Sequence, residues 1–177
     1  LVTPDKTTQA NIALRIPGWT PYAIVKVNGE TMKGVASGEY YVINRQWNAG
    51  DEITLTMEMP AHLVSLNQSV AIERGPIVYA RDSRFNDGFV DEVVTIPNKD
   101  GIIQMKTEEN GKDMWITVSV PMVRGTYNDA STDTRHIRLC DFASAGSTWD
   151  ERIRYRVWLP KLYTPDNPKS GQFQGYW

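Results

Sequence analysis

The chain has 177 residues, 41% of them hydrophobic and 23% charged, with a formal net charge of −2 and a pI near 5.7. That is enough for one sizeable core or two small ones, and the balance lacks the clustered excess of Lys and Arg carried by binders of nucleic acid or anionic membranes. The single cysteine, Cys140, rules out an intrachain disulfide, and no apolar run approaches the roughly 20 residues that span a bilayer.

Short, punctuated strands open the chain. Ile12, Leu14 and Ile16 alternate with Ala13 and Arg15 until Pro17-Gly18 stops the run, and Ala23 to Val27 leads into the turn dipeptide Asn28-Gly29. Tyr40 to Asn44 is β-branched and aromatic. Gly50-Asp51 then turns the chain into Glu52 to Met59, where Ile53, Leu55, Met57 and Met59 alternate with Glu52, Thr54, Thr56 and Glu58. This is the period of a half-buried antiparallel strand, with the first set in the core and the second in water. Ser69 to Glu73 and Ile77 to Arg81 flank Arg74-Gly75-Pro76, whose proline removes a ladder donor and predicts a bend or bulge. Phe89 to Ile96 reads as the next strand. Ile102 to Lys106 and Trp115 to Val120 read as a hairpin around the loop Glu108 to Lys112, and Ile137 to Phe142 and Ile153 to Leu159 are the last two strands.

No window of about 11 residues holds helical spacing behind a cap. The expected fold is therefore an all-β, antiparallel, jelly-roll-like sandwich in two small packed sub-sandwiches, residues 1–68 and 69–164, with 165–177 as a Pro-, Gly- and Gln-rich surface tail.

Little in the sequence carries a reaction, and it names no catalytic residue, metal ligand or cofactor. His62 and His136 are the only histidines, and neither stands at a metal-ligand spacing with Cys140 or a carboxylate. His136 and Cys140, four apart on a strand, share a face, which leaves a thiol–imidazole pair geometrically open. A small buried filler is the simpler role for Cys140, because a nucleophilic thiol also needs a base, an electropositive pocket and an oxyanion site. Asp82, Asp87, Asp91 and Glu92 surround the turn Asn86-Asp87-Gly88. Carboxylates and loop carbonyls of this kind bind calcium, but the spacing fits no calcium loop, so solvated loop charges are the expectation.

Among six tryptophans, Trp19 and Trp47 sit beside turns where a ring plugs the end of a sandwich. Trp149, in the polar loop Gly146 to Glu151, is the candidate for an exposed ring that stacks on a sugar. Arg154, Arg156 and Trp158 alternate with Tyr155, Val157 and Leu159. With the latter three inward, the former make an outward patch suited to an interface.

The order of these pieces carries a resemblance. Leu14 to Trp19 (LRIPGW), Val27-Asn28-Gly29, Gly38 to Pro60 with Arg45, Trp47 and Gly50-Asp51, Ala71 to Ala80 (AIERGPIVYA) and Tyr155 to Pro160 (YRVWLP) follow in turn. The series resembles the region after the catalytic domain in β-L-arabinofuranosidase-like glycoside hydrolases, family 127. Between Phe85 and Thr134 only the rhythm of strand and turn is shared. The resemblance implies a catalytic helical barrel ahead of this region, with a zinc-bound cysteine as nucleophile, and none of those parts is in this sequence. Leu1-Val2-Thr3 reads like the end of a strand, and the chain like an excised C-terminal piece. The implied role is a noncatalytic accessory region that packs on the barrel and supports it, in a parent that acts in the periplasm or outside the cell. A carbohydrate-binding module that holds polysaccharide through exposed aromatics is the alternative. An unpaired N-terminal edge and the Trp158 face also predict self-association of the isolated chain.

Overall fold

The computed structural model describes residues 1–123, 134–148 and 150–161. The chain divides into two compact units, residues 1–60 and the chain from Ala61 onward. Both are built from antiparallel strands, and the described residues contain no α-helix.

The first unit holds β1 (Thr8–Arg15), β2 (Ala23–Val27), β3 (Glu30–Thr31), β4 (Tyr40–Trp47) and β5 (Ile53–Met57). β1 pairs β4 along its whole length, and β2 lies between β3 and β5 in a second sheet. Alternation sends Ile12, Leu14, Tyr41, Ile43 and Trp47 from one sheet, and Val25, Val27, Ile53 and Leu55 from the other, into one core. Asn28 and Gly29 take φ of 51° and 84°, so Val27 and Glu30 close a two-residue hairpin of the primed kind that Asn-Gly favours.

Asp51 ties this turn to the next. It accepts from the Asn48 N–H at 2.9 Å and from Asn28 Nδ2 at 2.8 Å, while Asn28 Oδ1 accepts from the Glu52 N–H at 2.8 Å. The Asn48 N–H, with the Asn28 amide and then Arg45, holds the Asp51 carboxyl below its ordinary pKa. One expectation fails at the end of β5. Ile53 and Leu55 are half-buried as the alternation requires, but Met57 is 37% exposed, because β5 is the sheet edge and stops there.

The second unit begins with β6 (Ala61–Leu66), β7 (Ser69–Arg74) and β8 (Ile77–Asp82), followed by a 3-10 turn at Ser83–Phe85. β9 (Asn98–Lys99), β10 (Ile102–Ile103), β11 (Lys106–Thr107), β12 (Thr117–Val123), β13 (Thr134–Asp141), β14 (Tyr155–Arg156) and β15 (Leu159–Pro160) complete it. They form a ten-stranded sheet in the order β11-β12-β13-β8-β7-β6-β10-β9, with β14 on β8 and β15 on β7. Its core gathers Val70, Ile72, Tyr79, Val94, Val118, Val120, Ile137, Leu139 and Leu159.

Five expectations change here. The border between units falls after Pro60 rather than near Gln68, because β6 pairs with β7 across Asn67-Gln68. Gly75-Pro76 is a hairpin loop rather than a bend: Arg74 pairs with Ile77, and Gly75 supplies a φ of 60°. Phe89 to Ile96 is not a strand; only Val94 and Thr95 make isolated bridges, to Lys161 and Val123. Asp100-Gly101, at φ of 53° and 81°, forms a second primed turn that pairs β10 back onto β9, so only β11 keeps the expected pairing with β12. The last expected strand is likewise split into β14 and β15, which lie on different neighbours. The expected tail at residues 165–177 lies outside the described residues.

Candidate functional site

The loop after β8 concentrates the charge chemistry of the second unit. Asp82 ends the strand with a buried side chain and accepts from Arg84 through Nε at 2.9 Å, Nη2 at 2.8 Å and the backbone N–H at 2.9 Å. The Gly146 N–H adds a fourth donor at 3.0 Å. Burial alone would raise this carboxyl, but the Arg84 guanidinium with the Gly146 and Arg84 backbone donors outweighs it and holds Asp82 below the usual range. Arg81, 1% exposed, lies between Asp87 at 3.5 Å and Glu92 at 3.4 Å. Arg135 also bonds Glu92, and the Arg138 backbone N–H donates to Asp87 at 2.7 Å.

Gly88 closes the arrangement. Its φ is 129°, and a Cβ there would sit 2.8 Å from Glu92 Oε2 and 3.1 Å from Arg81 Nη2. Local rigidity therefore requires glycine at this turn.

These partners correct the reading of Asp82, Asp87, Asp91 and Glu92 as solvated charges. The first three ion pairs enclose Asp82, Asp87 and Glu92; only Asp91 is well exposed, and it bonds Arg156. No group of three or more His, Cys, Asp or Glu side chains is arranged to hold a metal ion among the described residues. A calcium ion would have to displace guanidiniums already in contact.

Cys140 lies buried with Phe85 and Met114, while His136 is exposed, so the strand does not bring them together. Burial, reinforced by the nearby Asp82 charge, pushes the Cys140 thiol up to about 12. His62 faces Glu73 at 3.6 Å on paired strands instead.

Arg154, Arg156 and Trp158 are placed in part as expected. Trp158 is 39% exposed and Leu159 is buried, but Tyr155, assigned inward, is 49% exposed. Its ring leans on Phe142 at 6.2 Å and covers Gly146. Trp149 lies outside the described residues.

Among the described residues, the most exposed tryptophan is one the sequence did not single out. Trp115 is 77% exposed and lines an open groove of about 350 Å³ with Pro76, Ile77, Val78, Ile116 and Phe142. Its backbone is gripped from both sides: the N–H donates to Ser144 Oγ at 3.0 Å, and the carbonyl accepts from Asn110 Nδ2 at 2.7 Å. Buried Asp141 anchors this grip by accepting from Ser144 Oγ at 2.7 Å and from the Ile116 N–H at 3.0 Å. Sequence patterning takes Trp115 for the first residue of a strand; the strand starts at Thr117, which frees the ring to point outward. The signal that could have found it is Asn110, whose side chain bonds the backbone of both Trp115 and Thr117 as a turn-forming Asn does.

Fold and loop together define an all-β module braced by arginine–carboxylate pairs. Residues 1–59 match the family model "Beta-L-arabinofuranosidase, GH127 middle domain". That model describes a middle domain, where the resemblance had pointed to a C-terminal region. Among solved structures, a β-L-arabinofuranosidase of family 127 from Geobacillus stearothermophilus T6 is similar over 90% of this chain and 27% of its own, at 23% identity and a TM-score of 0.67. A second β-arabinofuranosidase of the family matches over 88% and 28%, at 23% identity and a TM-score of 0.65. A structure described as a glycoside hydrolase matches over 92% and 29%, at 21% identity and a TM-score of 0.63. This chain thus spans between 27% and 29% of these three solved chains, and what it shares with them is the fold. No curated protein sequence matches it.

Proposed function

We propose that this chain is a noncatalytic β-region of a family 127-type glycoside hydrolase, which packs on a catalytic helical barrel and supports it. The observation that carries the reading is the match of residues 1–59 to the middle domain of β-L-arabinofuranosidases, in a fold that recurs as under a third of longer hydrolase chains. The state of the chemical groups supports it. The thiol is buried and protonated, and the clustered carboxylates serve arginines. The surface best suited to packing holds Trp115 and Phe142 in their groove, with Arg154, Arg156 and Trp158 as a second, more polar face. The parent would work in the periplasm or outside the cell.

The test is reconstitution. The chain alone should not turn over aryl β-L-arabinofuranosides; mixed with a family 127 barrel stripped of its own β-region, it should raise that barrel's solubility or activity. Turnover by the purified chain, abolished by Cys140→Ser, would overturn the proposal. A second reading, a carbohydrate-binding module, is favoured by the exposed and rigidly held Trp115 ring.

A further inference from the structure

We infer that a cavity beside the arginine-braced loop binds one neutral sugar unit, at a site separate from the exposed aromatic groove. The inference rests on the glycoside hydrolase reading for its choice of ligand, and on the cavity itself for everything else. The cavity holds about 370 Å³, within the range of small-ligand sites. Phe85 and Met114 form its floor, and Arg138, Lys112, Glu109 and Asp113 stand around it.

Both walls are built before any ligand arrives. On one side, Asn110 Oδ1 accepts from the Thr117 N–H at 3.1 Å, and the Gly111 N–H donates to Thr117 Oγ1 at 3.1 Å. On the other, the 3-10 turn is pinned by Asp82 and Arg84, and Arg84 Nη2 also donates to the Ser144 carbonyl at 2.7 Å. A preformed cavity binds without the entropy cost of ordering its own walls.

The charges around the cavity decide the ligand. Arg84 also borders it, but is neutralised by its two-pronged pair with Asp82. Arg138 lies with its guanidinium 5.0 Å from the centre of the Phe85 ring, donates to the Phe85 carbonyl, pairs loosely with Asp87 at 3.8 Å, and is 48% exposed. Its fork retains further donors. Glu109 and Lys112 are exposed and make no ion pair or side-chain hydrogen bond among the described residues. Two cations, Arg138 and Lys112, thus face two carboxylates, Glu109 and Asp113, so the rim is neutral in sum and offers donors and acceptors together.

A phosphate or uronate drawn to Arg138 or Lys112 would also meet Glu109 and Asp113 as like charges, which a neutral ligand avoids. Vicinal hydroxyls, which donate and accept at once, satisfy both kinds of group above the buried Phe85 and Met114.

The experiment titrates methyl β-L-arabinofuranoside, methyl β-D-galactopyranoside and methyl galacturonoside into the chain and follows the Met114 methyl resonance by NMR. The neutral glycosides should shift that resonance saturably. Lys112→Ala and Glu109→Ala, both at exposed side chains, should each weaken binding roughly tenfold, the scale of a hydrogen bond to a charged group. Arg138→Lys keeps the charge but loses the planar stack, and should weaken it further. Uronate binding tighter than either neutral glycoside, shifts at the Trp115 indole without shifts at Met114, or no saturable shift with any ligand would each overturn the inference. A chain that supports a barrel yet binds no sugar here would sink the cavity alone and leave the accessory role standing.

Discussion

Arg81 is enclosed with a carboxylate on either side, and that enclosure sets the cost of removing it. Arg81→Ala leaves Asp87 and Glu92 without their shared buried partner, and should cost about 3–5 kcal/mol in urea unfolding. Gly88→Ala brings a Cβ to 2.8 Å from Glu92 Oε2 at a φ of 129°. It should cost about 1–3 kcal/mol, the scale of strained backbone. Asp82 sets the response to acid. Its folded pKa lies below the ordinary carboxylate value, so its contribution is complete above about pH 4 and is lost as pH falls through the folded value. Unfolding midpoints measured from pH 7 down to pH 3 should therefore fall more steeply in the wild type than in Asp82→Asn. None of these partnerships was legible in the sequence. Asp82, Arg84, Asp87 and Glu92 are visible as a charged run, but Arg135 and Arg138, which help decide that the acids are paired rather than solvated, come from a strand far along the chain.

At the scale of elements, alternation was the reliable signal wherever one strand face was buried and a turn fixed its register. β2 and the inner faces of β1, β4 and β5 follow it, and Asn28-Gly29 makes the hairpin its residue types require. The Phe89 to Ile96 stretch alternates less cleanly, and its buried members, Val90, Val94 and Ile96, are held by a loop whose acids are tied to arginines. Apolar residues in a braced loop and in a strand look alike in sequence because burial, not pairing, selects them. The same distinction ranks two leucines. Leu139 on β13 is fully buried, whereas Leu55 on the edge strand β5 is half-buried. Leu139→Ala should cost about 2–5 kcal/mol, and Leu55→Ala less than half as much, because part of its side chain already meets water. Equal losses in chemical unfolding would mean that β5 is covered in solution.

For the whole molecule, the surface is less explained than the interior. Each unit has its own core, Trp47 at the centre of one and the Val118, Ile137 and Leu139 cluster in the other, yet Trp115, Phe142, Tyr155 and Trp158 in the second unit remain in water. Sequence reasoning reached Trp158 by alternation. It missed Trp115 because its exposure depends on the contact between Asn110 and the backbone on either side of Ile116. Apolar rings grouped on a surface mark a face that is covered in the working protein, and a chain presenting such a face alone associates through it. At micromolar concentration the purified chain should therefore sediment with a mass average that rises with concentration. Trp115→Ser should lower that rise more than Trp158→Ala, because Trp115 is the more exposed and lies in the groove that a partner side chain would fill. The substitution should leave stability within about 0.5 kcal/mol, since the ring is largely in solvent and the network grips the backbone of residue 115 rather than its side chain. Sedimentation of the wild type as one monomeric species at every concentration would remove the Trp115 groove as a docking face, and with it the surface through which this region is proposed to meet a barrel.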